Sequence, residues 1–199
     1  MATAQRTASW CNAQPWRIHV LGGEALEAAR VRLPGWAVDH AAAPDFAWPA
    51  AYGGVYRDRR RACGFALYEA VGVARDDRAA AARQAGENLR FFGAPHLAIV
   101  TSDRDLGVYG AVDCGAWVAS FLLAAAAEGV ATIAQAALAA HPAFWRERLD
   151  LGADRLVVCG VSFGRADPAH PANGFRTTRA DLPQVVDWID AVPSIAPSG

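Results

Sequence analysis

Three stretches of this 199-residue chain gather residue types that can do chemistry. The first is Ser9-Trp10-Cys11-Asn12-Ala13-Gln14-Pro15-Trp16, followed at once by Arg17-Ile18-His19-Val20. Pro15 fixes its own φ and drives Gln14 towards extended geometry, so residues 12–14 cannot continue a helix. Ser9, Asn12 and Gln14 therefore share a polar corner whose side chains and backbone N–H groups suit a planar polar ligand. An ordinary helix-to-strand turn would use the same residues. The second stretch, Phe175-Arg176-Thr177-Thr178-Arg179, follows Gly174. Arg176 and Arg179, with two threonine hydroxyls between them, can grip a phosphate in fork geometry, or stand as two solvated arginines.

The third stretch, Gly160-Val161-Ser162-Phe163-Gly164, has the spacing of a nucleophile elbow and follows a strand-like run. An elbow must open a helix, whereas here Arg165-Ala166-Asp167-Pro168 follows, and His170 is the sole histidine after Ser162. A hydrolase site is therefore rejected. His19, His40, His96, His141 and His170 show neither HxxxH nor HExxH spacing, so no metal site is expected. The chain has no lysine, no GxGxxG opening a helix and no GxxxxGK[ST], which excludes Schiff-base, Rossmann and P-loop chemistry.

The elements that must position these residues follow from pattern. Residues 1–9 read as the tail of a helix. Ile18 and Val20 alternate with Arg17 and His19, the mark of a half-buried strand. A helix is expected over 24–32, stopped by Pro34-Gly35. Residues 35–54, with Trp36, Phe46 and Trp48, read as an ordered excursion on the body of the protein. Helices are expected over 55–71 and 75–92, the latter led by Asp76 and Asp77 and ended by Gly93-Ala94-Pro95. HLAIVT (96–101) reads as a central strand. The longest helix spans 109–128, and its stretch 114–127 carries no charge. That stretch is too short for a membrane span of about 20 residues, and a helix apolar all round needs a large core or, as we read it, a second subunit. A strand at 130–134, a helix at 142–149, a strand at 155–163, a loop at 165–178 and a short helix at 182–189 complete the chain. The fold class is α+β, helices around few strands, in one domain over 1–199 without internal repeat.

Composition narrows the partners. Net charge is −1, with 53 % hydrophobic and 20 % charged residues, so the chain is expected to fold and not to take nucleic acid as its main partner. Cys11, Cys63, Cys114 and Cys159 form no CxxC pair. Such sparse cysteine, with no signal-peptide pattern at the N-terminus, points to reduced thiols and a cytoplasmic location.

Four stretches in order, 8–20 (ASWCNAQPWRIHV), 86–100 (GENLRFFGAPHLAIV), 113–142 and 155–182, resemble the FMN-dependent nitroreductase family, in its oxygen-insensitive, nitrobenzoate-reductase-like branch. The resemblance implies a central, mainly antiparallel sheet wrapped by helices, in an intertwined homodimer with FMN at the interface. It implies that Ser9, Trp10, Asn12 and Gln14 meet a flavin held mainly by the other subunit, Trp10 and Cys11 standing where the family has small or hydroxylic residues. It places Asn88 and Arg90 near the pyrimidine edge, the backbone of Ala134, Gln135 and Ala136 beside the flavin N5, and Arg179 with Arg176 on the phosphate. The chemistry implied is ping-pong hydride transfer from NADH or NADPH to a small-molecule acceptor such as a nitroaromatic or quinone, carried by the flavin rather than by a side-chain dyad. The family's N-terminal Arg-Ser-x-Arg motif, which holds the FMN phosphate, has no match here, since the sequence starts after that point. A non-catalytic dimeric relative with weak flavin binding, and a dehalogenase or oxygen-dependent flavin enzyme, are the alternatives.

Overall fold

A computed structural model describes residues 1–190. Its frame is a four-stranded sheet of β1 (Arg17–Gly22), β2 (His96–Asp103), β3 (Ala131–Gln135) and β4 (Arg155–Gly164) in the order β1-β2-β4-β3, every neighbouring pair antiparallel. Helices α1 (Gly23–Asp39), α2 (Gly54–Ala70), α3 (Arg78–Gly86), α4 (Gly107–Ala127) and α5 (Pro142–Leu149) surround it, so the chain is α+β as its pattern implies.

β2 explains why the sheet carries two cores. Its side chains alternate between faces, and both faces are apolar, so it must be covered on both sides. Leu97 and Ile99 join Leu26, Leu33, Phe91, Leu138, Trp145 and Val157 beneath α1 and α5. Ala98 and Val100 join Cys114, Trp117, Phe121 and Val161 beneath α4. Burial pushes the Cys114 thiol up to about 11 and the Cys159 thiol up to about 12, so both stay protonated.

Helix α4 buries only one stripe. Cys114, Trp117, Val118, Phe121 and Ala125 face the sheet, whereas Val108, Tyr109, Val112 and Leu123 are exposed. The helix is long and apolar enough to cross a membrane by length and composition, but that stripe belongs to the core.

Several boundaries differ from the sequence pattern. Residues 1–9 hold only a 3₁₀ turn, Ala4–Arg6, not the tail of a helix. α1 runs through Pro34 to Asp39. Leu33, fully buried, holds the helix on the core, and Trp36 stacks on His40 and meets Phe144 edge-on, which outweighs the hydrogen bond that proline removes. The expected helix 75–92 is two pieces, α3 and a 3₁₀ segment Glu87–Gly93 in which Phe91 and Phe92 take φ of 60° and 51°. Asp77 caps α3 by accepting from Ala80 N at 2.8 Å. The expected helix 182–189 shrinks to a 3₁₀ turn, Leu182–Gln184, because Val185, Trp188 and Ile189 find nothing to pack on within the described residues and remain exposed. The excursion after α1 is ordered as expected. Asp45 accepts from Arg146 at 2.7 Å and from the Val157 amide at 2.8 Å, and the Ala43 amide donates to Ala140 O at 2.9 Å.

Two histidines make this frame acid-sensitive. Burial lowers the pKa of His141, and His40 lowers it further. Burial also lowers that of His19, with Arg17 and Arg155 adding to the effect. Below about pH 6.5 an unfolded chain takes up protons that these folded imidazoles resist, so stability is full above that pH and falls as pH drops through it. Urea midpoints measured from pH 7.5 to 5.0 should decline. His141→Asn, which places a polar, non-titrating residue at the N-cap of α5, should flatten the decline; an unchanged slope would remove His141 as a cause.

Candidate functional site

The polar corner forms as a strained turn between the 3₁₀ segment Trp10–Asn12 and β1. Cys11, Asn12 and Gln14 have φ of 51°, 55° and 48°, a left-handed conformation that side chains other than Asn and Asp take at some cost. Gln14 is therefore left-handed rather than extended. Pro15 excludes only the right-handed helical region before it, and local hydrogen bonds select the alternative. Gln14 N donates to Ser9 Oγ at 2.9 Å, and Gln14 Nε2 donates to Asn12 Oδ1 at 3.1 Å. Gln5 completes the knot, donating to Gln14 Oε1 at 3.2 Å and accepting from Trp16 Nε1 at 3.0 Å.

Longer-range bonds fix the corner in the fold. Trp10 N donates to both carboxylate oxygens of Asp113 on α4, at 3.3 and 3.2 Å, and the Trp10 ring lies 4.7 Å from that of Tyr109. Arg155, near the start of β4, donates from Nη2 to Pro15 O at 3.4 Å, to Thr101 O at 3.2 Å and to Thr101 Oγ1 at 3.1 Å, with Asp103 at 3.7 Å from Nη1. One guanidinium thus ties the corner to two strands.

A second polar cluster lies where β3 ends. β3 pairs only with β4, so its outer edge is open among the described residues. Ala134 and Ala136 are exposed there, while Gln135 between them is 3 % exposed. Gln135 Nε2 donates to Asn88 O at 3.0 Å and to Asn88 Oδ1 at 3.2 Å, and Asn88 Nδ2 donates to Ala85 O at 3.1 Å. The Ser162 hydroxyl donates to Gln135 Oε1. Ser162 is 1 % exposed in the interior of a strand and no helix follows it, so it cannot serve as a nucleophile. Gly160 is needed for packing, because a Cβ there would strike Leu138 in the turn Ala136–Ala140.

The fold therefore brings Asn88, Gln135, Ala134 and Ala136 together, and separately gathers Ser9, Trp10, Asn12 and Gln14. Arg90 is turned outward, its Nη1 3.5 Å from Glu87, while its carbonyl accepts from Arg30 at 2.6 Å. Arg176 and Arg179 are exposed in the loop after β4. Arg176 Nη1 donates to Asn173 O and Phe175 O, at 2.6 and 2.7 Å, and Arg179 Nη1 to Thr177 Oγ1 and Thr178 O, at 2.7 and 2.9 Å. Neither has a carboxylate partner among the described residues, and the hydrogen bonds they make stay within their own loop. Arg155 is the residue the sequence pattern missed, and the buried hydrogen bond of Ser162 is the contact it did not reveal. The spacing of Ser162 from Gly160 was the visible signal, and it pointed to the wrong chemistry.

Comparison with known proteins bears on what this arrangement serves. A family model described as the nitroreductase family matches residues 1–165. Nitroreductase NfnB of Mycolicibacterium smegmatis is 34 % identical over 175 residues, covering 86 % of this chain and 73 % of that protein. A 4-nitrobenzoate reductase of Pseudomonas putida is 34 % identical, covering 84 % and 74 %. The crystal structure of the FMN-dependent nitroreductase NfnB from Mycobacterium smegmatis in complex with NADPH superposes with a TM-score of 0.89 at 31 % identity, over 94 % of this chain and 85 % of that one.

The bonds of Arg155 lead to a direct test. Arg155→Met keeps the aliphatic stem but frees Pro15 O and the Thr101 carbonyl. It should cost roughly 1.5–3 kcal/mol in urea unfolding, the range for hydrogen bonds to a charged group. It should also speed amide exchange over residues 9–16. Unchanged exchange there would mean that Asp113 and Ser9 hold the corner without Arg155.

Proposed function

This chain belongs to the nitroreductase family, and on that premise we propose that it is an FMN-dependent NAD(P)H oxidoreductase that reduces nitroaromatics, with quinones as further acceptors. The observation that carries the reading is that the fold matches an FMN-dependent, NADPH-complexed enzyme over 94 % of the chain, while the family match over residues 1–165 takes in all four strands with Asn88 and Gln135.

The donor set suits FMN. Asn88 Nδ2 spends one hydrogen on Ala85 O and keeps the other for the acceptor-rich pyrimidine edge of a flavin. Ala134 and Ala136 have methyl side chains on an open strand edge, so a flat ring can approach their backbone closely. Arg176 and Arg179 lack carboxylate partners among the described residues, which suits a phosphate. FMN, when bound, supplies the hydride transfer that no side chain performs. The residues here bind and orient: Asn88 and the Ala134–Ala136 backbone fix the ring, Arg176 and Arg179 hold the phosphate, and Arg90 adds positive charge nearby. NAD(P)H and the acceptor use the same opening in turn.

A homodimer completes the site in this reading. Val108, Tyr109, Val112 and Leu123 on α4, with Ile133 on β3, form apolar surface that a single chain leaves exposed, as do Val185, Trp188 and Ile189. A second copy would cover α4 and bring its own Ser9, Trp10, Asn12 and Gln14 to the flavin held at β3. Both cores share one sheet, which supports a single domain. All four cysteines are free thiols, in keeping with a cytoplasmic location.

The purified protein, incubated with FMN and desalted, should be yellow, elute as a dimer, and consume NADPH in proportion to 4-nitrobenzoate. A protein that retains no FMN and shows no such turnover would overturn the reading. Arg179→Ala should weaken FMN retention about tenfold, as expected for one exposed charged contact to phosphate. Unchanged affinity would remove Arg179 from the site.

A further inference from the structure

We infer that Ser162 is a positioning residue that locks the polarity of the Asn88 carboxamide from its buried side, so that Asn88 meets the bound heteroaromatic ring as a hydrogen-bond donor. This rests on the FMN reading above and goes beyond it by assigning a role to a buried hydroxyl two residues removed, in the hydrogen-bond chain, from any ligand.

The direction of each bond follows from what its atoms can do. Asn88 O is a backbone carbonyl and only accepts, so the Gln135 atom 3.0 Å from it must be Nε2. Gln135 Oε1 then points the other way, to Ser162 Oγ. A carboxamide oxygen only accepts, so the hydroxyl donates. Gln135 Nε2 also reaches Asn88 Oδ1 at 3.2 Å, which makes that oxygen the inward atom of Asn88 and turns Nδ2 away. With one Nδ2 hydrogen on Ala85 O, the remaining one is the group that Asn88 offers outward. Ser162, Gln135 and Asn88 are thus a one-way relay.

Its geometry is built into the β3–β4 register. Ser162 lies opposite Ile133 and Gln135 opposite Gly160, so Ser162 and Gln135 are diagonal neighbours on the same face. That face is the larger core, where Leu97 pairs with Ser162 and Leu138 packs over Gly160. Ser162 and Gln135 are 1 % and 3 % exposed, so water cannot readily replace the hydroxyl. Without it, Gln135 Oε1 has no partner, and the Gln135 and Asn88 carboxamides keep their orientation only through Asn88 O and Ala85 O, so the relay loses its buried anchor and loosens. A reversed Asn88 would set Oδ1 against the carbonyl oxygen or ring-nitrogen lone pair that it should bind.

Ser162→Ala should weaken FMN binding about tenfold and make the midpoint potential of the bound flavin more negative, because a donor at the pyrimidine edge favours the electron-rich reduced ring. Ser162→Thr, which restores the hydroxyl, should keep both values near wild type, whereas Ser162→Val, of nearly the same shape, should behave like Ser162→Ala. Equal affinity and potential in the Ala and wild-type proteins, or equal values in the Thr and Val proteins, would overturn the inference. If β-branched side chains do not fit, side-chain amide NMR of the flavin-free protein decides. Resolved, slowly exchanging Gln135 and Asn88 NH₂ signals should be present in wild type and averaged or fast-exchanging in Ser162→Ala, and identical spectra would overturn the relay. That measurement also separates the two readings, since a wild type that never binds FMN defeats the proposed function yet still reports the relay.

Discussion

Pairing of β2 with β4 is the constraint on which the rest of the molecule depends. Both strands are inner, and β2 is apolar on both faces, so each face needs its own cover. The register then assigns every critical side chain. Thr101 pairs with Val157 and Asp103 with Arg155, which puts the Arg155 guanidinium at the same end of the sheet as Pro15. Leu97 pairs with Ser162, which puts the serine at the other end, beside β3 and diagonal to Gln135. The irregularity between Val100 and Thr101 shifts the register between those two ends. A one-residue slip would move Ser162 to the α4 face and separate it from Gln135, so the relay and the core are specified by the same pairing.

The strands were legible because their pattern and their burial say the same thing. HLAIVT and RLVVCGVSF are short apolar runs bounded by turn residues, and both are inner strands. α4 was legible for the same reason, an uncharged stretch that packs by one stripe. Errors fall where tertiary contacts outweigh local signals. Pro34 reads as a stop, yet burial of Leu33 and the Trp36 contacts carry α1 past it. Residues 182–189 have helical spacing but no core to bury it in among the described residues, and periodicity without burial leaves a single turn.

The candidate site was legible in a more uneven way. Asn88 and Gln135 came from family resemblance, and no local rule links residues 47 apart; their hydrogen bond exists because a 3₁₀ segment and a strand end converge. Ser162 stood out for its spacing between glycines, but spacing alone cannot say whether a serine faces solvent or core. Arg155 gave no signal, since an arginine opening a strand looks like any surface charge until its three carbonyl and hydroxyl partners are seen. Arg176 and Arg179 bond only to their own loop, which is how arginines awaiting an anion and arginines merely solvated would both look in a single chain.

Backbone strain follows the same distribution. Of six non-glycine residues with positive φ among the described residues, three lie in the polar corner (Cys11, Asn12 and Gln14) and two, Phe91 and Phe92, just after Asn88. Each such residue costs on the order of 1 kcal/mol, more for bulky side chains. The corner is compensated by the Ser9, Asp113 and Arg155 hydrogen bonds, and the second segment by complete burial of Phe91 and by the two carbonyls, Arg90 O and Ala94 O, that Arg30 holds at 2.6 and 2.7 Å. A turn whose only task was to change direction would relax to glycine or to standard geometry. Here the unfavourable conformers coincide with the two segments whose polar groups would meet a ligand, and each is held by a buried or partly buried arginine from a distant part of the chain. The distant arginines hold both strained segments in place.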